Sequence, residues 1–311
     1  MAVHHAQVIV NPCAGGGFTG RKWPQIRGLL QDAGLSIEHG FTDGPGHGTD
    51  LAREAVERGH ELVIAVGGDG TVNEVANGLV DEEGKGRATL GIIGLGTGGD
   101  AIRTLGIPRD YVQACHLFSD YRKCTIDLGE VEYTGGTGWV RRLFFNTAGL
   151  GFDAATVERQ HALPGGLRGT LPYLIALGIT LVSYRNKRVT LSVDGQAEER
   201  RCFTVVVNNG RYFGGGMKIA PEADVCDGLL DVVVIGDMGR SGILWNLPKV
   251  YSGNHIGHPM VSAYRALGVE VGSPERLLLQ VDGELVGEAP ARFRLLPAAL
   301  DVAVAPGEQG G

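Results

Sequence analysis

The sequence predicts two domains: an α/β N-terminal domain built on a parallel sheet, then an all-β, sandwich-like C-terminal domain. Three observations predict this. The chain has 311 residues, the size of two domains at ~100–200 residues each. Residues 1–125 alternate β-rich and helical segments, the βαβ pattern of a parallel sheet. Residues 126–311 read as successive β-rich runs divided by turn dipeptides such as Asp194-Gly195 and Asp282-Gly283. The last 10–15 residues are expected to return to the first domain.

In the first domain, residues 7–10 read as a strand ending at Asn11-Pro12, 23–33 as a helix and 35–41 as a second strand. Residues 49–59 have amphipathic helical spacing, with Thr49 or Asp50 as N-cap. The runs LVIAV (62–66) and TLGIIGL (89–95) are short and apolar, as buried parallel strands require. Helices are expected at 71–79, 101–105 and 110–118. In the second domain, β runs fall at 125–133, 140–147, 188–193, 202–208, 229–235, 268–271, 276–281 and 291–296, with one helical insert at 171–184.

Composition excludes several functions. Lys+Arg is 28 against Asp+Glu 35, a net charge of −7, so no basic footprint for nucleic acid exists at the whole-chain level. Cys13, Cys115, Cys124, Cys202 and Cys226 form no C-x-x-C pair. They are expected as reduced, buried thiols, neither a zinc site nor a disulfide framework. No signal peptide is expected at the N-terminus. The apolar run 171–183 is shorter than the ~20 residues of a membrane span. A cytoplasmic protein is expected, with peripheral contact at the inner membrane face left open. The histidines lack metal spacing, and His4, His5, His255 and His258 are expected on the surface or in loops.

Glycine, 51 of 311, is about twice its average usage of ~7%. The sharpest use of it is LVIAVGGDGTVNEVANGL, where a buried strand meets Gly67-Gly68-Asp69-Gly70-Thr71 and a helix follows. Converging backbone N–H groups and a helix N-terminus cradle phosphate without basic side chains. Asp69 would repel phosphate, so its carboxylate is expected to hold Mg²⁺ carried by the phosphates, or else to be a helix N-cap. Gly96-Thr97-Gly98-Gly99-Asp100 repeats the strand–loop–helix device. Asn11-Pro12 with Gly15-Gly16-Gly17 forms a third loop, but Arg21 and Lys22 stand where a P-loop needs Lys and Ser/Thr.

These residues resemble a known family. GGDGTVNEV is similar to the nucleotide loop of the diacylglycerol kinase catalytic domain, shared by bacterial lipid kinases and by sphingosine and ceramide kinases. NAD kinases and 6-phosphofructokinases carry a shorter version of it. Asn11-Pro12, Thr42 with His47, LGIIGLGTGGDAIRTLGIP, NTAGLGFDA, NNGRYFGGGMKIAPEADVCDGLLDVVVI and VDGE resemble further signatures of the lipid-kinase branch, in order. Gly94 stands for the family's proline and Gly99 for its asparagine.

The resemblance implies an NAD kinase/phosphofructokinase-like first domain and an ATP- and Mg²⁺-dependent transfer of phosphoryl to a lipid hydroxyl. Diacylglycerol, giving phosphatidic acid, is the first acceptor implied. Sphingoid bases or ceramide, NAD, and a non-catalytic nucleotide-binding role are the alternatives. ATP would be lined by Asn11, Thr42, Gly67, Gly68, Asp69, Gly70, Thr71, Asn73, Gly96, Thr97 and Asp100. Within Asp282-Gly283-Glu284, Glu284 is the implied proton acceptor, with Asp69 and Asp282 beside it as catalytic residues. The same Asp-Gly pair is also a common hairpin turn. A structural Mg²⁺ site is implied at Asp224, Asp227 and Leu229, where an Asx turn is the competing reading. Glu74 is either part of the site or plain N-terminal helix polarity. Residues 163–184 are the candidate for acceptor and membrane-surface contact, or equally a helix covering the core. A homodimer is left open.

Overall fold

A computed structural model describes residues 4–96, 98–135, 138–163 and 171–306. The chain divides into unit 1, residues 1–128 with 296–311, and unit 2, residues 129–295.

Unit 1 runs β1 (His4–Val10), α1 (Ala14–Asp32), β2 (Leu35–Phe41), α2 (His47–Glu57), β3 (Leu62–Gly67), α3 (Asp69–Leu79), β4 (Thr89–Gly94), α4 (Asp100–Thr104), α5 (Tyr111–His116) and the start of β5 (Arg122–Gly135). β1 pairs in parallel with β2 and β3, and β3 with β4. The end of the chain's last strand adds in parallel to β4, Val302 opposite Leu90. Helical periodicity explains the packing. Trp23, Ile26 and Leu30 lie on one face of α1 and meet alternate residues Ala6, Val8 and Val10 of β1 and Ile64 and Val66 of β3. Ile9, Val63 and Ala65 are also fully buried. The sheet is therefore covered on both faces, which is why its strands read as unbroken apolar runs.

The start of α2 differs from expectation. Its N-cap is Gly46, in the left-handed region at φ 85°, and not Thr49 or Asp50. The orphan amides at this helix end go to Glu74 of α3: Gly46 N donates to Oε1 at 2.8 Å and Gly48 N to Oε2 at 3.0 Å. A partner on another helix replaces the local cap.

Unit 2 continues with β6 (Gly138–Phe144), β7 (Thr147–Gly151), α6 (Phe152–His161), α7 (Leu171–Ser183), β8 (Lys187–Val193), β9 (Gln196–Asn208), β10 (Leu230–Gly236), α8 (Arg240–Ser252), β11 (Val261–Ala266), β12 (Gly268–Gly272), β13 (Leu278–Val281) and β14 (Glu284–Val304). Its strands pair antiparallel. The ladder β9–β7–β13–β14–β12–β8 returns to β9 and closes on itself. Phe144, Leu150, Leu191, Val205, Val271 and Phe293 are among its core residues.

Unit 2 is not all-β: it carries three helices rather than one insert. α6 and α8 escape a reading based on apolar periodicity. α6 is ten residues of mostly polar sequence, and α8 contains Gly242 and Pro248, both weak helix signals. Two other expectations fail on burial. Cys13 and Cys226 are exposed and Cys124 is half-buried, so only Cys115 and Cys202 are buried thiols. His255 lies in the turn after α8, as the loop reading has it, but it is buried. Among the described residues, no helix is long and apolar enough to cross a membrane.

Candidate active site

Three loops of unit 1 meet at the carboxyl ends of β1, β3 and β4. A Cβ on Gly96 would lie 2.6 Å from the Gly68 Cα, and one on Gly15 would lie 2.7 Å from the Leu95 carbonyl oxygen. Real side chains do not fit such gaps, so glycine is what lets the second loop touch the other two. Asn11 joins the first loop to the middle one, its Nδ2 donating to Thr71 Oγ1 at 3.1 Å. Gly67, Thr71 and Asn73 are buried, Gly68, Asp69 and Gly70 half-buried, and Gly96 exposed. Thr42 follows β2, its N–H donating to the Val10 carbonyl at 2.9 Å. Thr97 lies outside the described residues.

Asp69 begins α3, but its carboxylate serves another helix. Oδ2 accepts from Gly99 N at 2.8 Å, and Oδ1 from Asp100 N at 3.1 Å and Ala101 N at 3.5 Å. Asp69 thus caps α4 and ties the two glycine loops together. Backbone amides engage both of its oxygens. The buried Asp100 turns back to Arg103 Nη1 at 2.6 Å. Gly99 is left-handed, φ 69°, a conformation that asparagine tolerates better than other side chains. Arg109, which carried no sequence signal, donates from Nη2 to the Gly98 carbonyl at 2.9 Å.

In unit 2, Asp282 (φ 45°) and Gly283 (φ 87°) are both left-handed, as a two-residue type I′ hairpin requires. The hairpin and site readings hold together, because Asp282 also accepts three amides. Its oxygens take Phe145 N at 2.7 Å and Asn146 N and Thr147 N at 2.9 Å. Glu284, opposite Val281 in the ladder, is ion-paired with Arg142 of β6.

Behind this turn lies a buried acid that the sequence reading quoted within NTAGLGFDA but gave no role. Asp153 Oδ1 accepts from Thr204 Oγ1 at 2.7 Å and Oδ2 from Gln280 Nε2 at 3.0 Å. Gln280 Oε1 in turn accepts from Gly283 N at 2.7 Å. Burial raises the Asp153 pKa, against the two side-chain hydrogen bonds that lower it. Asp153 lines a cavity of about 70 Å³ whose other walls are mostly apolar, including Phe152, Phe203, Met217, Ile243 and Leu247. α7 contributes Tyr173 and Leu177. Thr204, Asn246, His255 and His258 are further polar lining residues, and the Asn246 Oδ1 atom has no hydrogen-bond partner among the described residues.

In the segment 224–229 both acids make local contacts. Asp227 pairs with Arg265 through one oxygen and accepts from Leu229 N at 3.0 Å through the other. Asp224 Oδ1 accepts from Cys226 N at 3.0 Å. The Asx-turn reading describes this loop. Nearby Asp231 is pushed up to about 6, first by burial and then by Asp227 and Glu222, while Arg265 lowers it.

Two glycine loops bridged by a carboxylate at the end of a parallel sheet, joined in one chain to an antiparallel unit, are the arrangement of a kinase-like class. Residues 5–131 match the diacylglycerol kinase catalytic domain. Residues 146–304 match the YegS C-terminal NAD kinase beta sandwich-like domain. The chain is 30% identical over 292 residues to a Bacillus subtilis diacylglycerol kinase, covering 93% of this chain and 92% of that one. A Klebsiella pneumoniae protein named probable lipid kinase YegS-like is 32% identical over 287 residues, covering 90% and 91%. A solved structure of a candidate diacylglycerol kinase from Bacillus anthracis matches with a TM-score of 0.77 at 26% identity, covering 99% of this chain and all of that one. The protein belongs to the diacylglycerol kinase family and is a lipid kinase.

Proposed function

We propose that the enzyme transfers the γ-phosphoryl group of ATP to the hydroxyl of a lipid, with diacylglycerol as acceptor and phosphatidic acid as product. One observation carries the acceptor class. Unit 2 holds a cavity with mostly apolar walls, and its one buried acid is linked through Gln280 to the Asp282-Gly283-Glu284 turn. Such a cavity takes hydrocarbon, and its few polar atoms orient a head group.

Phosphoryl transfer asks for positioning, charge neutralisation and a proton acceptor. The backbone amides of the glycine loops and the N-terminus of α3 bind the donor's phosphates. Glu284 takes the proton of the lipid hydroxyl as its oxygen bonds to phosphorus, and ADP leaves. The ion pair with Arg142 orients Glu284 beforehand. A Mg²⁺ held by the triphosphate oxygens would neutralise charge on the transferring phosphoryl group.

The test offers labelled ATP with diacylglycerol, sphingosine, ceramide or NAD in separate reactions. Label in phosphatidic acid is expected. Label on NAD alone, or ATP binding with no transfer to any acceptor, overturns the proposal.

A further inference from the structure

α8 has two dissimilar faces. Ile243, Asn246, Leu247 and Val250 line the cavity. The opposite side shows Leu244 62%, Trp245 82% and Tyr251 55% exposed. α7 repeats the arrangement, with Tyr173 and Leu177 in the cavity wall and Leu174 56% and Val182 69% exposed. Five large apolar side chains therefore sit in water on the two helices that wall one cavity.

Charge sets the same helices apart. Residues 159–193 and 238–269, which contain α7 and α8, hold no Asp or Glu and eight Lys or Arg, in a chain whose net charge is −7. At the chain's average acid content, about seven acids would be expected in 67 such positions. Exposed Arg185, Arg240 and Lys249 stand at or near the helix ends. Tryptophan with an apolar body and one polar N–H favours the membrane–water interface, and nearby cations favour anionic head groups.

We infer that the outer faces of α8 and α7, centred on Leu244 and Trp245, dock on an anionic lipid bilayer. α8 lies in the interface plane with its apolar side chains among the acyl chains. This rests on the lipid-acceptor reading: the acceptor is itself a bilayer component, and docking places the cavity wall against its source. Phosphoryl transfer and docking are nonetheless separable by experiment.

The test compares the wild type with Leu244→Glu/Trp245→Glu in flotation with phosphatidylglycerol-containing and purely phosphatidylcholine vesicles. Wild type is expected to float with the anionic vesicles, and the double variant to lose about tenfold or more of that binding, as the loss of two buried apolar groups implies. Turnover of a short-chain diacylglycerol dispersed as monomer is expected to stay unchanged, which also shows that the variant is folded. In Trp139→Phe protein, brominated acyl chains are expected to quench the remaining exposed tryptophan, and adding Trp245→Phe to abolish that quenching. Equal vesicle binding by wild type and double variant overturns the proposal. So does a wild-type dimer that the double variant dissociates while vesicle binding persists, since a second copy then covers this face. Trp245-dependent vesicle binding with no phosphoryl transfer to any lipid upholds docking and removes the kinase acceptor reading instead.

Discussion

The two units hold their carboxylates in different ways. In unit 1, Asp69 and Glu74 each lie on α3, and each accepts backbone amides at the start of another helix. Their charge is matched by donors that cannot move. In unit 2, Asp153 and Asp231 are buried with fewer compensating donors, and both pKa values rise. Asp231 Oδ2 has no partner among the described residues. The first arrangement builds a rigid backbone cradle, suited to phosphates. The second leaves carboxyl groups whose charged form burial disfavours. Other acids of unit 2 are compensated: Glu130 pairs with Arg141 and Arg294, and Asp282 accepts three amides and fixes the turn that presents Glu284.

The sharpest way to break this contrast is Glu284→Gln. Its turnover is expected to fall about 10²–10⁴-fold, the usual worth of a general base. Stability should change by no more than about 1 kcal/mol, because the pair with Arg142 is largely solvated. Steady-state kinetics beside a melting curve separates the two effects, and full turnover removes Glu284 as base.

Asp69→Ala tests the clamp itself. It orphans the amides at the start of α4 and should cost about 3 kcal/mol, the range for hydrogen bonds to a charged group, read by urea denaturation. Asp69→Asn, which keeps one acceptor oxygen, should recover about half. Unchanged stability in both would mean that the loops hold together without the carboxylate.

The smallest effect is expected at Asp231. Its folded pKa, about 6, lies above its unfolded value. The folded state therefore binds more protons between about pH 4 and pH 6. The favourable contribution is full below pH 4 and is lost as pH rises through 6. A two-unit shift amounts to about 2–3 kcal/mol. Asp231→Asn should thus be more stable than wild type at pH 8 by about 2 kcal/mol, with the difference closing by pH 4. Denaturation at the two pH values checks it, and a pH-independent difference would show that the acid is not strained.

Much of the cradle was legible in the sequence because its signal is local. Gly67-Gly68-Asp69-Gly70 follows β3 and opens α3, and a strand–loop–helix unit is written in adjacent residues. The work of its side chains was not legible, because their partners are distant in sequence. Asp69 meets Gly99 thirty residues on, Glu74 meets Gly46 twenty-eight residues back, and Asp282 meets Phe145 across 137 residues. The cavity was hidden for a related reason. Phe152, Phe203, Met217 and Leu247 come from segments that each look like ordinary core.

By itself, the sequence determined the chain's periodicities: a parallel α/β region, a region of antiparallel strands, and the glycine loops with their turns. These depend on backbone conformation and on contacts a few residues apart. Tertiary structure decided which carboxylates became clamps and which were left raised. It also decided that α6, α7 and α8 enclose a cavity and that Trp245 remains in water. Those outcomes depend on burial and on donors brought together by long-range packing, which no local pattern encodes.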